Sequence, residues 1–165
     1  MPAEELALTL LAGEVHVWRA DIAVAGEGGE VLLSADERER ARRILGEQRR
    51  RAWERAHGLL RRLLGRYLSC DPGALRFSRG PHGKPELQWG AGWAIGQGGG
   101  AAQGSAPPSF NISHSGDLAL FAFGHGQAVG VDVELASRRG HEVPLARRTF
   151  GPAAAERLAG LDPES

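Results

Sequence analysis

The chain has 165 residues, 42% hydrophobic and 24% charged, with 20 basic side chains balanced by 20 acidic ones. That is enough for one domain with a real core, and zero net charge offers no bulk attraction to nucleic acid. A single cysteine, Cys70, excludes an internal disulfide and fits a reducing compartment.

The N-terminal MPAEELALTLLAG begins with acids, lacks the positive n-region of a signal peptide and is too short to span a bilayer. A cytoplasmic protein with no membrane contact is expected. Residues 14–20, EVHVWRA, alternate as a strand, with Val15 and Val17 on one face and His16 and Trp18 on the other. His16 reads as a half-buried strand residue, not a ligand. Gly26, Gly28 and Gly29 mark a turn; no Gly-Lys-Ser/Thr follows to make it a phosphate loop.

Ser34-Ala35-Asp36-Glu37 is a capping box that opens a helix with Ala41, Ile44 and Leu45 on its apolar side. Gly46 interrupts it. A second helix is expected over 49–68, where Ala56, Leu59, Leu60, Leu63, Leu64, Tyr67 and Leu68 recur at spacings of three and four. Residues 38–66 hold 11 arginines. Most read as a solvated face with i,i+4 pairs such as Glu39 with Arg43. A few near the first helix are placed to reach a phosphate, which guanidinium groups bind well. No helix-turn-helix or interleaved aromatics support a DNA reading. His57 reads as packed beside the stripe.

Residues 70–73, CDPG, form a turn, and 74–79 a strand. Residues 80–85, GPHGKP, form a tight loop leading into a short strand over 86–89. Gly83 permits close approach of the backbone to a ligand, and Pro85 fixes the direction of Lys84. Lys84 is the only lysine beside 19 arginines. It is a compact point charge where the rest are planar forks. The Gly-, Ala- and Pro-rich stretch 90–109 is expected to be a flexible surface loop.

Residues 110–134, FNISHSGDLALFAFGHGQAVGVDVE, read as three alternating strands, the last over 129–134. Asp132 and Glu134 are two apart, so their carboxylates leave one face about 7 Å apart at the backbone. Such a pair suits a hard divalent cation such as Mg²⁺. Ser113-His114-Ser115-Gly116 ends a strand in a turn with hydroxyls, an imidazole and free N–H groups that suit an anion. Beyond Glu134, helices are expected over 143–150 and 153–161.

FNISHSG followed by VGVDVE, with GKP upstream, resembles the 4′-phosphopantetheinyl transferase superfamily, and the similarity runs from about Trp18 to the end. The resemblance implies an α+β fold: one complete α/β half over 1–125, carrying the flexible loop, and the start of a second half over 126–165. It implies transfer of phosphopantetheine from coenzyme A to a serine of an apo acyl or peptidyl carrier protein. Asp132 and Glu134 would be the catalytic, Mg²⁺-holding carboxylates. Lys84 would lie near the nucleotide part of coenzyme A, and His114 with Ser113 would bind its 3′-phosphate. Arg40, and secondarily Arg43, would supply a basic phosphate contact. Glu37 departs from the pattern, standing where some relatives have a basic residue. Relatives continue with a Trp-x-x-Lys-Glu helix. None of Trp18, Trp53, Trp89 and Trp93 begins one, so a member truncated in its second half is expected. The alternative is a non-catalytic fragment that binds coenzyme A or a carrier protein.

Overall fold

The computed structural model describes residues 7–24, 30–80, 83–88, 106–135 and 142–161. Their elements are β1 (Val15–Asp21), α1 (Ala35–Arg42), α2 (Glu47–Leu68), β2 (Phe77–Arg79), β3 (Pro85–Leu87), β4 (Ser109–Ser115), β5 (Leu118–Gly124), α3 (Glu142–Phe150) and α4 (Pro152–Ala159). The fold is α+β, as expected. The strands form an antiparallel sheet in the order β1-β5-β4 and a separate β2–β3 hairpin.

The apolar stripe of α2 packs on one sheet face. Ala56, Leu60, Leu64, Tyr67 and Leu68 meet Ala119, Phe121 and Phe123 of β5, with Trp18, Phe110 and Ile112 at the margin. Register explains this: Trp18 and Ile112 both lie opposite Phe121, so alternate residues of three strands turn to the helix together. The polar tip of Tyr67 is satisfied within the sheet. Trp18 Nε1 donates to Tyr67 Oη at 2.9 Å, and His16 Nδ1 lies 2.8 Å from the same oxygen. His16 is therefore a packed strand residue.

The capping box forms as read: Ser34 Oγ accepts the Glu37 N–H, and Glu37 Oε2 accepts the Ser34 N–H at 2.8 Å. Ala41 is buried, but Leu45 is 87% exposed and leaves the apolar side to which its spacing assigned it. The cause is local. α1 ends at Arg42, and Gly46 adopts φ +90, so Leu45 falls outside helical phase. The strand expected over 74–79 begins only at Phe77, because Pro72–Ala74 winds into a 3-10 turn capped by Asp71.

Arg61 is the main departure from a solvated arginine face: it is fully buried. Its Nε donates to Glu37 Oε2 at 2.9 Å and its Nη2 lies 2.6 Å from that oxygen, although the Nη2 hydrogens do not align with it. Its Nη1 donates to the carbonyls of Pro72 at 2.8 Å and Leu75 at 3.2 Å. One guanidinium thus ties α1, α2 and the turn before β2.

The chain divides into two units, residues 1–134 and 135–165. Residues 126–134 thus go with the first unit, whereas the family resemblance assigns them to a second half. In the smaller unit α3 and α4 pack on each other around Ala146 and Ala155. Among the described residues no helix is long and apolar enough to cross a membrane.

Residues 129–134 are not a third strand. Side chains of β4, not a backbone ladder, take up the N–H groups of Val131 and Val133. The chain turns back tightly after β5. A Cβ on Gly124 would lie 2.6 Å from Val129 Cγ1 and 3.2 Å from the Gln127 carbonyl, so only glycine fits.

Arg61→Met is expected to cost about 3 kcal/mol, because it leaves the largely covered Glu37 carboxylate, 14% exposed, without its cation. Adding Glu37→Gln should recover part of that loss, since Gln keeps the capping bond without the charge. Urea unfolding of the single and double variants checks this; strictly additive losses would show that the pair is not coupled.

Candidate functional site

A cavity of about 710 Å³ opens between the start of α1, the middle of α2 and the β2–β3 hairpin. Arg40, Arg43, Arg76 and Arg79 line it, with Trp53 and His57 of α2 and the acids Asp36 and Glu37. Four guanidinium groups face two carboxylates. One of these, Glu37, is already engaged by Arg61 and the capping bond. The wall therefore carries surplus positive charge, which suits a phosphate-bearing ligand.

Local structure aims these groups. Arg40 lies six residues past the capping Ser34 of α1, its Cζ 5.6 Å from the centre of the Trp53 ring. Arg43 lies at the helix end, 3.4 Å from Glu39. Arg76 Nη1 donates to the carbonyls of Gly73, Ala74 and Leu75, which holds the approach to β2. Trp53 stacks on His57 with ring centroids 3.6 Å apart, and the Trp53 carbonyl lies 3.0 Å from His57 Nδ1. Burial pushes the His57 pKa down to about 4, only partly opposed by that hydrogen bond and by Glu37. At neutral pH this wall presents a neutral imidazole. Lys84 is exposed between Gly83, at φ +76, and Pro85, which lines the cavity. The Gly80 N–H donates to the Lys84 carbonyl at 3.0 Å, closing the loop.

The second cluster lies along β4. Ser113 Oγ donates to Asp132 Oδ1 at 2.7 Å, and Ser115 Oγ to Glu134 Oε2 at 3.4 Å. Asn111 Oδ1 accepts the Val131 N–H at 2.8 Å, and Ser113 Oγ accepts the Val133 N–H at 3.2 Å. Ser109 Oγ lies within hydrogen-bond reach of the carbonyls of Gly124 and Gln127, which share its one proton. Residues 109, 111, 113 and 115 share one strand face, so Asp132 and Glu134 are drawn to the same side. Both carboxylates are exposed. His114 belongs to the opposite face, half-buried, and burial lowers its pKa.

The structure brings Arg40 and Arg43 together on one cavity, and Ser113 to Asp132. It sets Ser113 and His114 on opposite faces of one strand. The cavity residues that sequence reasoning missed are Trp53, His57, Arg76 and Arg79. His57 and Trp53 continue the α2 stripe at a spacing of four, a usable signal. Arg76 and Arg79 flank Phe77 and Ser78 like any surface arginines and carry none. Among the described residues there is no group of three or more His, Cys, Asp or Glu able to hold a metal. The fit of Asp132 and Glu134 to a cation rests on their chemistry: two exposed hard oxygen donors on one side, with remaining positions open to water and a phosphate.

No protein-family model matches the chain. It is 34% identical over 160 residues to the 4′-phosphopantetheinyl transferase HetI of Nostoc sp. (strain PCC 7120), an alignment covering 95% of the chain and 62% of that protein. It is 32% identical over 137 residues to slr0495 of Synechocystis sp. (strain PCC 6803), provisionally named for the same transferase activity, covering 83% of the chain and 50% of that protein. The chain thus spans roughly half to under two thirds of the curated relatives it matches.

His57 gives a pH prediction. Its folded pKa is below the unfolded value, so the unfolded chain binds more protons between about pH 6.5 and 4. Stability is full above pH 6.5 and falls across that window, by on the order of 3 kcal/mol from this group. Urea unfolding at pH 7 and pH 4.5 should show a smaller loss in His57→Gln than in the parent chain. An equal loss would mean that other groups account for the pH dependence.

Proposed function

The chain belongs to the 4′-phosphopantetheinyl transferase superfamily, and from that premise we propose that it acts in the Mg²⁺-dependent transfer of phosphopantetheine from coenzyme A to a serine of an apo carrier protein. The observation that carries this reading is the cavity with Arg40, Arg43, Arg76 and Arg79 on its wall. Its volume lies in the usual range for small-ligand and cofactor sites, and its charge suits a ligand with several phosphates.

In this reading Arg40 and Arg43 bind phosphate oxygens of coenzyme A. Lys84 stands near the nucleotide, held by Gly83 and Pro85. His114 donates one N–H as a neutral imidazole. Asp132 and Glu134 would hold Mg²⁺, which when bound supplies positive charge beside the transferring phosphoryl group. Transfer of this kind depends on positioning and charge stabilisation more than on covalent help from the protein. The carrier serine hydroxyl attacks the pyrophosphate and 3′,5′-ADP leaves. In a second reading, this chain binds coenzyme A or a carrier without transfer.

Intact-mass analysis of an apo carrier incubated with the chain, coenzyme A and Mg²⁺, beside an EDTA control, separates the two. Metal-dependent gain of one phosphopantetheine supports transfer, and Asp132→Ala should then slow it on the order of 10²-fold. Calorimetric binding of coenzyme A without mass gain supports the second reading. Arg40→Ala should weaken that binding roughly tenfold. No gain and no binding by folded chain would overturn both.

A further inference from the structure

Among the described residues that line the cavity, His57 is the one imidazole. Its Nδ1 lies 3.0 Å from the Trp53 carbonyl, one turn back on α2. A carbonyl only accepts, so Nδ1 carries the proton, and in the neutral ring Nε2 is then a bare lone pair. Nε2 bonds to no described residue. It is not sealed either, since the one buried side-chain polar atom without a partner among the described residues is Arg61 Nη2. A lone pair thus opens onto a cavity whose polar wall is otherwise mostly guanidinium. A phosphate oxygen arriving there needs a donor.

We propose that His57 is a further ligand group of this cavity, and that an incoming phosphate binds together with one proton, taken from solvent onto His57 Nε2. That proton turns the lone pair into a charge-assisted donor, while the Nδ1 proton stays on the Trp53 carbonyl. Trp53 supports the charged form. Its ring stacks on His57 at 3.6 Å and lies 5.6 Å from Arg40 Cζ, so its π face already serves a cation. Of the charged groups around the imidazole, Glu37 of α1 favours the proton, whereas Arg61 of α2 and His114 of β4 oppose it. Asp36 adds an acid to the wall, and Arg40, Arg43, Arg76 and Arg79 add the positive charge that a phosphate would offset. Without a ligand the ring is neutral, its pKa held down to about 4 chiefly by burial. An opposite charge within about 4–6 Å raises the proton affinity of such a group up to about a thousandfold, which carries its titration toward neutrality. The bound state then holds more protons than the free state, so affinity rises as pH falls below neutrality. Like the role of Arg40, this role of His57 rests on the reading of the cavity as a coenzyme A phosphate site.

The test uses the full chain, the variant His57→Gln and two probes, coenzyme A and inorganic pyrophosphate. Nitrogen-15 NMR of the His57 ring at about pH 5.5 reads the proton directly. Calorimetry at about pH 8 and pH 5.5, in buffers of different ionisation enthalpy, reads affinity and proton uptake. Phosphate monoesters titrate near pH 6 on their own, so uptake is taken as the difference between parent and variant. Free His57 should show a bare Nε2, and with saturating coenzyme A both ring nitrogens should be protonated. The parent should take up close to one proton more than His57→Gln at about pH 5.5 and almost none at pH 8. Its affinity advantage over the variant should grow on the order of tenfold between those two conditions. Coenzyme A that binds while Nε2 stays bare would overturn the role of His57 and leave the coenzyme A reading standing. Pyrophosphate bound with the proton, beside no binding of coenzyme A, would keep the role and overturn that reading. Binding of neither probe by folded chain would overturn both. The parent spectra decide the matter even where His57→Gln does not fold.

Discussion

The ion pair between the buried Arg61 and the partly covered Glu37 is the constraint on which the larger unit depends. A guanidinium removed from water is costly unless charge and hydrogen bonds are returned to it. Here they come from three places at once: a carboxylate on α1 and two carbonyls in the turn before β2. None of these can move without exposing the cost. The same carboxylate closes the cap of α1, so helix initiation and core charge balance are a single event. Phe77 adds an apolar wall, its ring centre 5.1 Å from Arg61 Cζ.

The cavity inherits its shape from this pair. α1 carries Arg40 and Arg43, α2 carries Trp53 and His57, and the hairpin carries Arg79 and Pro85. Arg61 joins all three supports from behind. It also answers why an acid stands at position 37, where the family resemblance led one to look for a base. The carboxylate is turned inward to balance a core charge and takes little from the positive field of the wall. Surplus charge at the cavity thus depends on a neutralisation made beneath it.

Much of this was legible in the residues. The period of two over 110–123 and the three-four spacing over 56–68 gave the sheet and the helix that packs on it. Ser34 and Glu37 gave the cap. Three failures have physical causes. Arg61 lies on the stripe, three before Leu64 and four after His57, but its charge argued for solvent, and only a partner from another element could reverse that. Leu45 kept an apolar spacing that the backbone had already abandoned at Arg42. Residues 129–134 alternate like a strand, yet a strand is defined by its ladder, and these N–H groups found side-chain oxygens instead. Of the candidate site, the pairing of Asp132 with Glu134 could be read from spacing alone. The convergence of Arg76 and Arg79 on Arg40 could not, because it is made by tertiary packing.

The attachment of residues 127–134 to β4 has a consequence for how such a site can change over time. A backbone ladder is indifferent to sequence; no ordinary substitution deletes its carbonyls. Here the rungs are Ser109, Asn111 and Ser113, so each can be lost, lengthened or swapped by one codon. The height and tilt of Asp132 are thereby written into β4 and not into the segment that carries it. Lineages could retune the acidic pair without touching either acid, by drifting among Ser, Thr and Asn on β4. The fastest-adapting part of the pair would then be its scaffold.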